Sequence, residues 1–120
     1  MRWNSTNEPI MRIAVVICAL GVMLGAVSLA AGDRSKPTTH TVTIEGMKFE
    51  PEDLTVAAGD TVVWVNHDLV AHTATSSEAG MFDSKLIAPD TSWKVTVRKK
   101  GDFPYVCTYH PTMKATLHVR

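Results

Sequence analysis

Cys107, His110 and Met113 place a thiol, an imidazole and a thioether within a span of seven residues. Thiolate and thioether are soft donors and imidazole is a borderline one, the combination that suits copper in both of its oxidation states. With 5 His and 6 Met in 120 residues, a His three positions and a Met six positions beyond a given Cys would arise by chance roughly 0.2% of the time. A redox-active mononuclear site of this kind needs two imidazoles and one thiolate near a trigonal plane, with a weak axial thioether. Only one imidazole is local, so the second must come from elsewhere in the chain. His118 alternates with Leu117 and Val119 and reads as a surface or edge residue, while His40 sits at the start of the first strand. His67 lies in the turn-like polar stretch Asn66-His67-Asp68, and His72 stands between Ala71 and Thr73 at the start of a new extended segment. His72 and His67 remain the candidates.

These donors need a scaffold, and after residue 31 the pattern is that of β-strands. Alternating runs rich in Val, Thr and aromatics occur at Val42–Glu45, Leu54–Val56, Thr61–Val65, Trp93–Val97 and Ala115–Val119. Ala58-Gly59-Asp60, Pro89-Asp90 and Lys100-Gly101-Asp102 separate them. No later window of 11 residues keeps a helical period. Several short strands at close spacing predict an all-β sandwich, with Trp64, Phe49, Phe82, Trp93 and Phe103 as its large core residues.

The N-terminal part is different in kind. Arg2 and Arg12 precede 19 uncharged residues, Ile13 to Ala31, that end in small side chains. That is a secretory signal pattern with cleavage expected after Ala30; an uncleaved membrane anchor is the alternative. The expected organisation is a signal or hydrophobic helix over 1–30, a flexible lead over 31–39 and one β domain over 40–120. Removal of the signal takes Cys18 with it and leaves Cys107 unpaired in an oxidising compartment, where a metal would protect it. The expected location is periplasmic or otherwise exported.

The stretch Val62–Asn66 with His72, the segment Phe82-Asp83-Ser84 with Leu86, Pro89 and Ser92-Trp93, and Gly101–Cys107 with His110 and Met113 together resemble the cupredoxins, the blue copper proteins. Within them the Cys-x-x-His-x-x-Met spacing is most similar to the amicyanins, with plastocyanins next. The resemblance implies a Greek-key β-sandwich and a single type 1 copper bound by His72 Nδ1, Cys107 Sγ, His110 Nδ1 and Met113 Sδ. It also gives Asn66 a role in tying the two ligand-bearing loops together. Two departures stand out: Tyr109 occupies a position before the second His where Pro is common, and Val70-Ala71 precedes His72 where a Pro is usual.

The implied activity is outer-sphere one-electron transfer between redox proteins, with an amine dehydrogenase and a c-type cytochrome as the partners suggested by resemblance. A copper carrier or chaperone is the alternative, and a metal-free interaction domain the bland one. Twelve Lys plus Arg balance 12 Asp plus Glu, which gives no electrostatic case for nucleic-acid binding. No Ser-His-Asp set, paired carboxylates or phosphate loop is present, so an enzyme is not expected.

Overall fold

The computed structural model describes residues 35–120. The expected signal segment and the first part of the lead lie outside the described residues. Eight strands follow one another: β1 (Thr39–Glu45), β2 (Lys48–Glu50), β3 (Asp53–Val56), β4 (Thr61–Asn66), β5 (Thr75–Ser76), β6 (Ser92–Thr96), β7 (Gly101–Val106) and β8 (Lys114–Val119). They form two four-stranded sheets, ordered β2-β1-β4-β6 and β3-β8-β7-β5. The β1/β4 and β3/β8 pairs are parallel and the remaining pairs antiparallel. Among the described residues no helix is long and apolar enough to cross a membrane.

Alternation explains which face of each strand is buried. On β4, Val62, Trp64 and Asn66 point inward while Thr61, Val63 and Val65 stay partly exposed. On β8, Ala115, Leu117 and Val119 do the same. The two inner faces meet around Trp64, whose ring lies 5.4 Å from Phe82 and 5.6 Å from Tyr105 between centroids. Phe49 packs edge-on to Tyr105 at 4.8 Å, a preferred aromatic geometry. Burial pushes the Tyr105 phenol up to about 12. Among the described residues the Trp64 indole N–H has no hydrogen-bond partner. Trp93, expected in the core, is only half-buried because β6 is a sheet edge; its ring leans on Trp64 at 5.6 Å.

Two turns fix the ends of these strands. β1 and β2 are joined through Gly46 and Met47, both in the left-handed region at φ 62° and 61°. That is the two-residue hairpin geometry whose twist matches the flanking strands. In the β3–β4 turn the Asp60 carboxylate accepts N–H groups from Thr38 and Ala57 and meets His40 Nε2 at 2.8 Å. The Thr38 amide, the His40 ring and the Ala57 amide together hold this carboxyl down to about 2.

Candidate metal centre

β7 ends at Val106 and delivers Cys107, fully buried, to the rim of the sandwich. The next residues turn back at once, because β8 must begin at Lys114 beside β7. Three backbone bonds close this loop: His110 N–H to Cys107 O (3.3 Å), Met113 N–H to His110 O (2.8 Å) and Cys107 N–H to Met113 O (3.1 Å). The seven-residue spacing noted in the sequence is therefore one compact loop with its own hydrogen bonding. Met113 is buried at its end and His110 is half-buried.

His72 arrives from the other sheet connection, 35 residues earlier. It exchanges backbone bonds with Ile87, at 3.2 and 2.8 Å, and its side chain is 0% exposed. Its Nδ1 lies 3.7 Å from Cys107 Sγ, and His110 Nδ1 lies 3.7 Å from the same sulfur. The three donor atoms all fall within 4.8 Å of one another. A metal bound at about 2.0 Å from nitrogen and 2.3 Å from sulfur, with 120° between them, separates N from S by roughly 3.7 Å. The spacing in the fold thus fits a trigonal metal site made of two nitrogens and one sulfur.

Of the other imidazoles, His40 pairs with Asp60, and His118 bridges Asp102 Oδ1 (Nδ1, 2.7 Å) and Asp53 Oδ1 (Nε2, 3.0 Å). Among the described residues neither joins the Cys107 grouping, and nor does His67.

The residues around the donors hold them in place. Thr73 N–H donates to Cys107 Sγ at 3.3 Å, a contact that favours the thiolate. Thr73 Oγ1 accepts the Thr108 amide at 2.9 Å, so Thr73 is the link between the two loops that carry donors. Asn66 ties the His72 loop to the β5–β6 connection: its Nδ2 donates to Val70 O (2.8 Å) and Ile87 O (2.9 Å), and its Oδ1 accepts the Asp68 amide (2.9 Å). The direct tie across to the Cys107 loop runs through the residue immediately after His72, not through Asn66.

Asp68 is the second feature the sequence left unremarked. Its Oδ2 meets His72 Nε2 at 2.7 Å, and its two oxygens also accept the Gly46 and Met47 amides at 2.7 and 3.0 Å. Burial pushes this carboxyl up, but the two amides and the His72 ring outweigh it, and the net displacement is downward. An acid four residues before a candidate ligand is the signal that could have found it. In an Asn-His-Asp stretch that signal is masked by the usual preference of these residues for turns.

A two-sheet sandwich that sets one buried cysteine between two histidines, with a buried methionine closing the loop, defines a small β protein with a donor grouping for one copper ion. The cupredoxin-like domain model matches residues 16–119, and the chain belongs to that family. It is 30% identical over 82 residues to amicyanin of Paracoccus versutus, covering 65% of this chain and 62% of that one. The chain therefore spans less than two thirds of that relative's length. Amicyanin-alpha of Methylorubrum extorquens is 28% identical over 118 residues, 91% of this chain and 99% of its own. A Cu(I) structure of an amicyanin variant superposes with a TM-score of 0.63 at 28% identity, over 68% of this chain and 82% of that one.

Proposed function

We propose that the chain is a type 1 copper protein that carries single electrons between redox partners, with His72 Nδ1, Cys107 Sγ, His110 Nδ1 and Met113 Sδ as the copper ligands. The observation that carries this reading is the pair of imidazole nitrogens, each 3.7 Å from one buried cysteine sulfur. Copper bound there supplies a one-electron Cu(I)/Cu(II) couple. The chain's own contribution is rigidity: both donor segments are cross-linked by backbone and threonine hydrogen bonds, so they hold one compromise geometry for both oxidation states. His72 is fully buried and His110 half-buried, which makes His110 the imidazole through which an electron leaves.

Four side-chain donors fill the coordination positions, an arrangement for redox cycling rather than for substrate binding or metal hand-over. The donor and acceptor are redox proteins, with a dehydrogenase and a c-type cytochrome as the pair suggested by resemblance. Export to the periplasm with loss of residues 1–30 completes the reading.

Titration of the protein with Cu(II) tests it. One equivalent is expected to give an intense visible copper–thiolate band that is reversibly bleached by reductant and missing from Cys107→Ser. Colourless binding, or a band of equal strength in the serine variant, would overturn it.

A further inference from the structure

Asp68 stands between a buried imidazole and a backbone turn, and both of its carboxylate oxygens are directed at those two. Its Oδ2 lies 2.7 Å from His72 Nε2 and 3.0 Å from the Met47 amide, and its Oδ1 lies 2.7 Å from the Gly46 amide. Gly46 and Met47 both have positive φ, so two successive N–H groups converge on one carboxylate, the concave arrangement of backbone donors that holds anions. Asn66 fixes the Asp68 backbone by accepting its N–H at 2.9 Å. The carboxylate is therefore held from three sides, and its side chain is only 14% exposed.

A carboxylate can only accept, so His72 must donate Nε2–H to it, which leaves Nδ1 as the lone-pair nitrogen facing Cys107 Sγ. We infer that Asp68 is the positioning residue of this metal centre: it fixes the tautomer and ring orientation of His72, and its charge tunes how strongly the site favours Cu(II). This rests on the ligand assignment proposed above. Among the described residues His110 Nε2 has no such acceptor, so the two imidazoles are unequal, one anchored to an anion and one not.

The direction of the effect follows from charge. A carboxylate on the far nitrogen makes an imidazole a more basic ligand, and the added negative charge favours the more highly charged Cu(II) state. Replacing such an outer partner commonly costs 10- to 100-fold in metal affinity. If the loss falls mainly on Cu(II), its lower end raises the reduction potential by roughly 59 mV, the one-electron equivalent of tenfold.

The experiment uses the copper-loaded full chain, with Asp68→Asn and Asp68→Glu beside the wild type. The expected result is that Asp68→Asn still binds one copper with the intense band, but holds Cu(II) at least tenfold more weakly and has a raised potential. Asp68→Glu, which restores the charge, should recover most of both. A merely structural role would lower the melting temperature without moving the potential. Equal potentials and equal Cu(II) affinities in a fully blue Asp68→Asn protein would overturn the inference and leave the copper reading standing. A wild type that gives no band overturns both.

Should Asp68→Asn fail to fold, proton NMR of reduced wild type decides instead. A His72 Nε2–H that is downfield-shifted and slow to exchange supports the role; a freely exchanging one, or metal on Nε2, refutes it.

Discussion

Thr73 does three jobs from one position, because its backbone faces the sulfur and its hydroxyl faces the opposite loop. Its N–H donates to Cys107 Sγ at 3.3 Å. Its Oγ1 accepts the Thr108 amide at 2.9 Å and lies 3.0 Å from the Thr75 hydroxyl oxygen. Thr75 in turn donates to Asp83 at 3.2 Å, so a short chain of hydroxyls spans the rim beside the metal donors. Replacing Thr73 with alanine removes the hydroxyl bonds and spares the amide–sulfur contact. At about 0.5–1.5 kcal/mol net per hydrogen bond, the change should lower stability by about 1–3 kcal/mol. Urea unfolding of copper-loaded Thr73→Ala should show that loss as a lower midpoint, while the visible band stays near wild-type intensity. A midpoint unchanged from wild type would mean that the loops are held together by the metal alone. Cys107→Ser should do the reverse, since it removes the thiolate and leaves the threonine ties intact.

At the scale of elements, the sheet β3-β8-β7 carries a charge bridge across three adjacent strands. His118 on β8 reaches Asp102 on β7 and Asp53 on β3, and Arg120 adds a bond to Asp102 at 2.8 Å. The Asp102 bond first, and the Asp53 bond next, raise His118 above its ordinary 6.5. A raised histidine stabilises the fold fully below its unfolded value, and that contribution fades as pH rises through the folded one. The melting temperature of the wild type should therefore exceed that of His118→Gln most clearly between about pH 5 and 6, and the gap should shrink above neutrality. A gap that widens toward pH 9 would contradict the sign. Alternation alone made β1, β3, β4, β6 and β8 legible, because each turns one face at least partly inward. β2 and β5, with three and two residues, are too short to show a period. β7 carries Pro104, which weakens a strand pattern. Of the two placements expected for His118, the surface one holds and the edge one does not: its side chain is partly exposed, while β8 lies between β3 and β7.

Over the whole molecule, the local part of the site was legible and the non-local part was not. Cys107, His110 and Met113 declare themselves by spacing because one loop carries them. His72 needed a resemblance to be chosen over His67, and Asp68 and Thr73 act across distances that no short pattern encodes. Among the described residues, the large exposed apolar side chains lie on segments that adjoin the site residues. Leu69, 95% exposed, and Val70 lie on the segment leading to His72. Leu86 adjoins the Ile87 that bridges His72, Tyr109 precedes His110, and Met47 sits on the turn bound to Asp68. For the electron carrier proposed above, exposed apolar side chains beside the donor segments suit brief, weakly bound encounters in which two proteins bring their redox centres together. Electron exchange between Cu(I) and Cu(II) copies of this protein samples such encounters without any foreign partner. Leu69→Glu and Tyr109→Glu each place like charges face to face in that encounter, and about 1.4 kcal/mol of added cost corresponds to tenfold. NMR line broadening in half-reduced samples should show self-exchange slowed by about tenfold in each variant at low salt. Added salt should recover part of the rate by screening the charges. Both positions are solvent-exposed, so stability should stay within about 0.5 kcal/mol of wild type. Unchanged self-exchange in both variants would show that electrons leave by a face other than the one bearing His110.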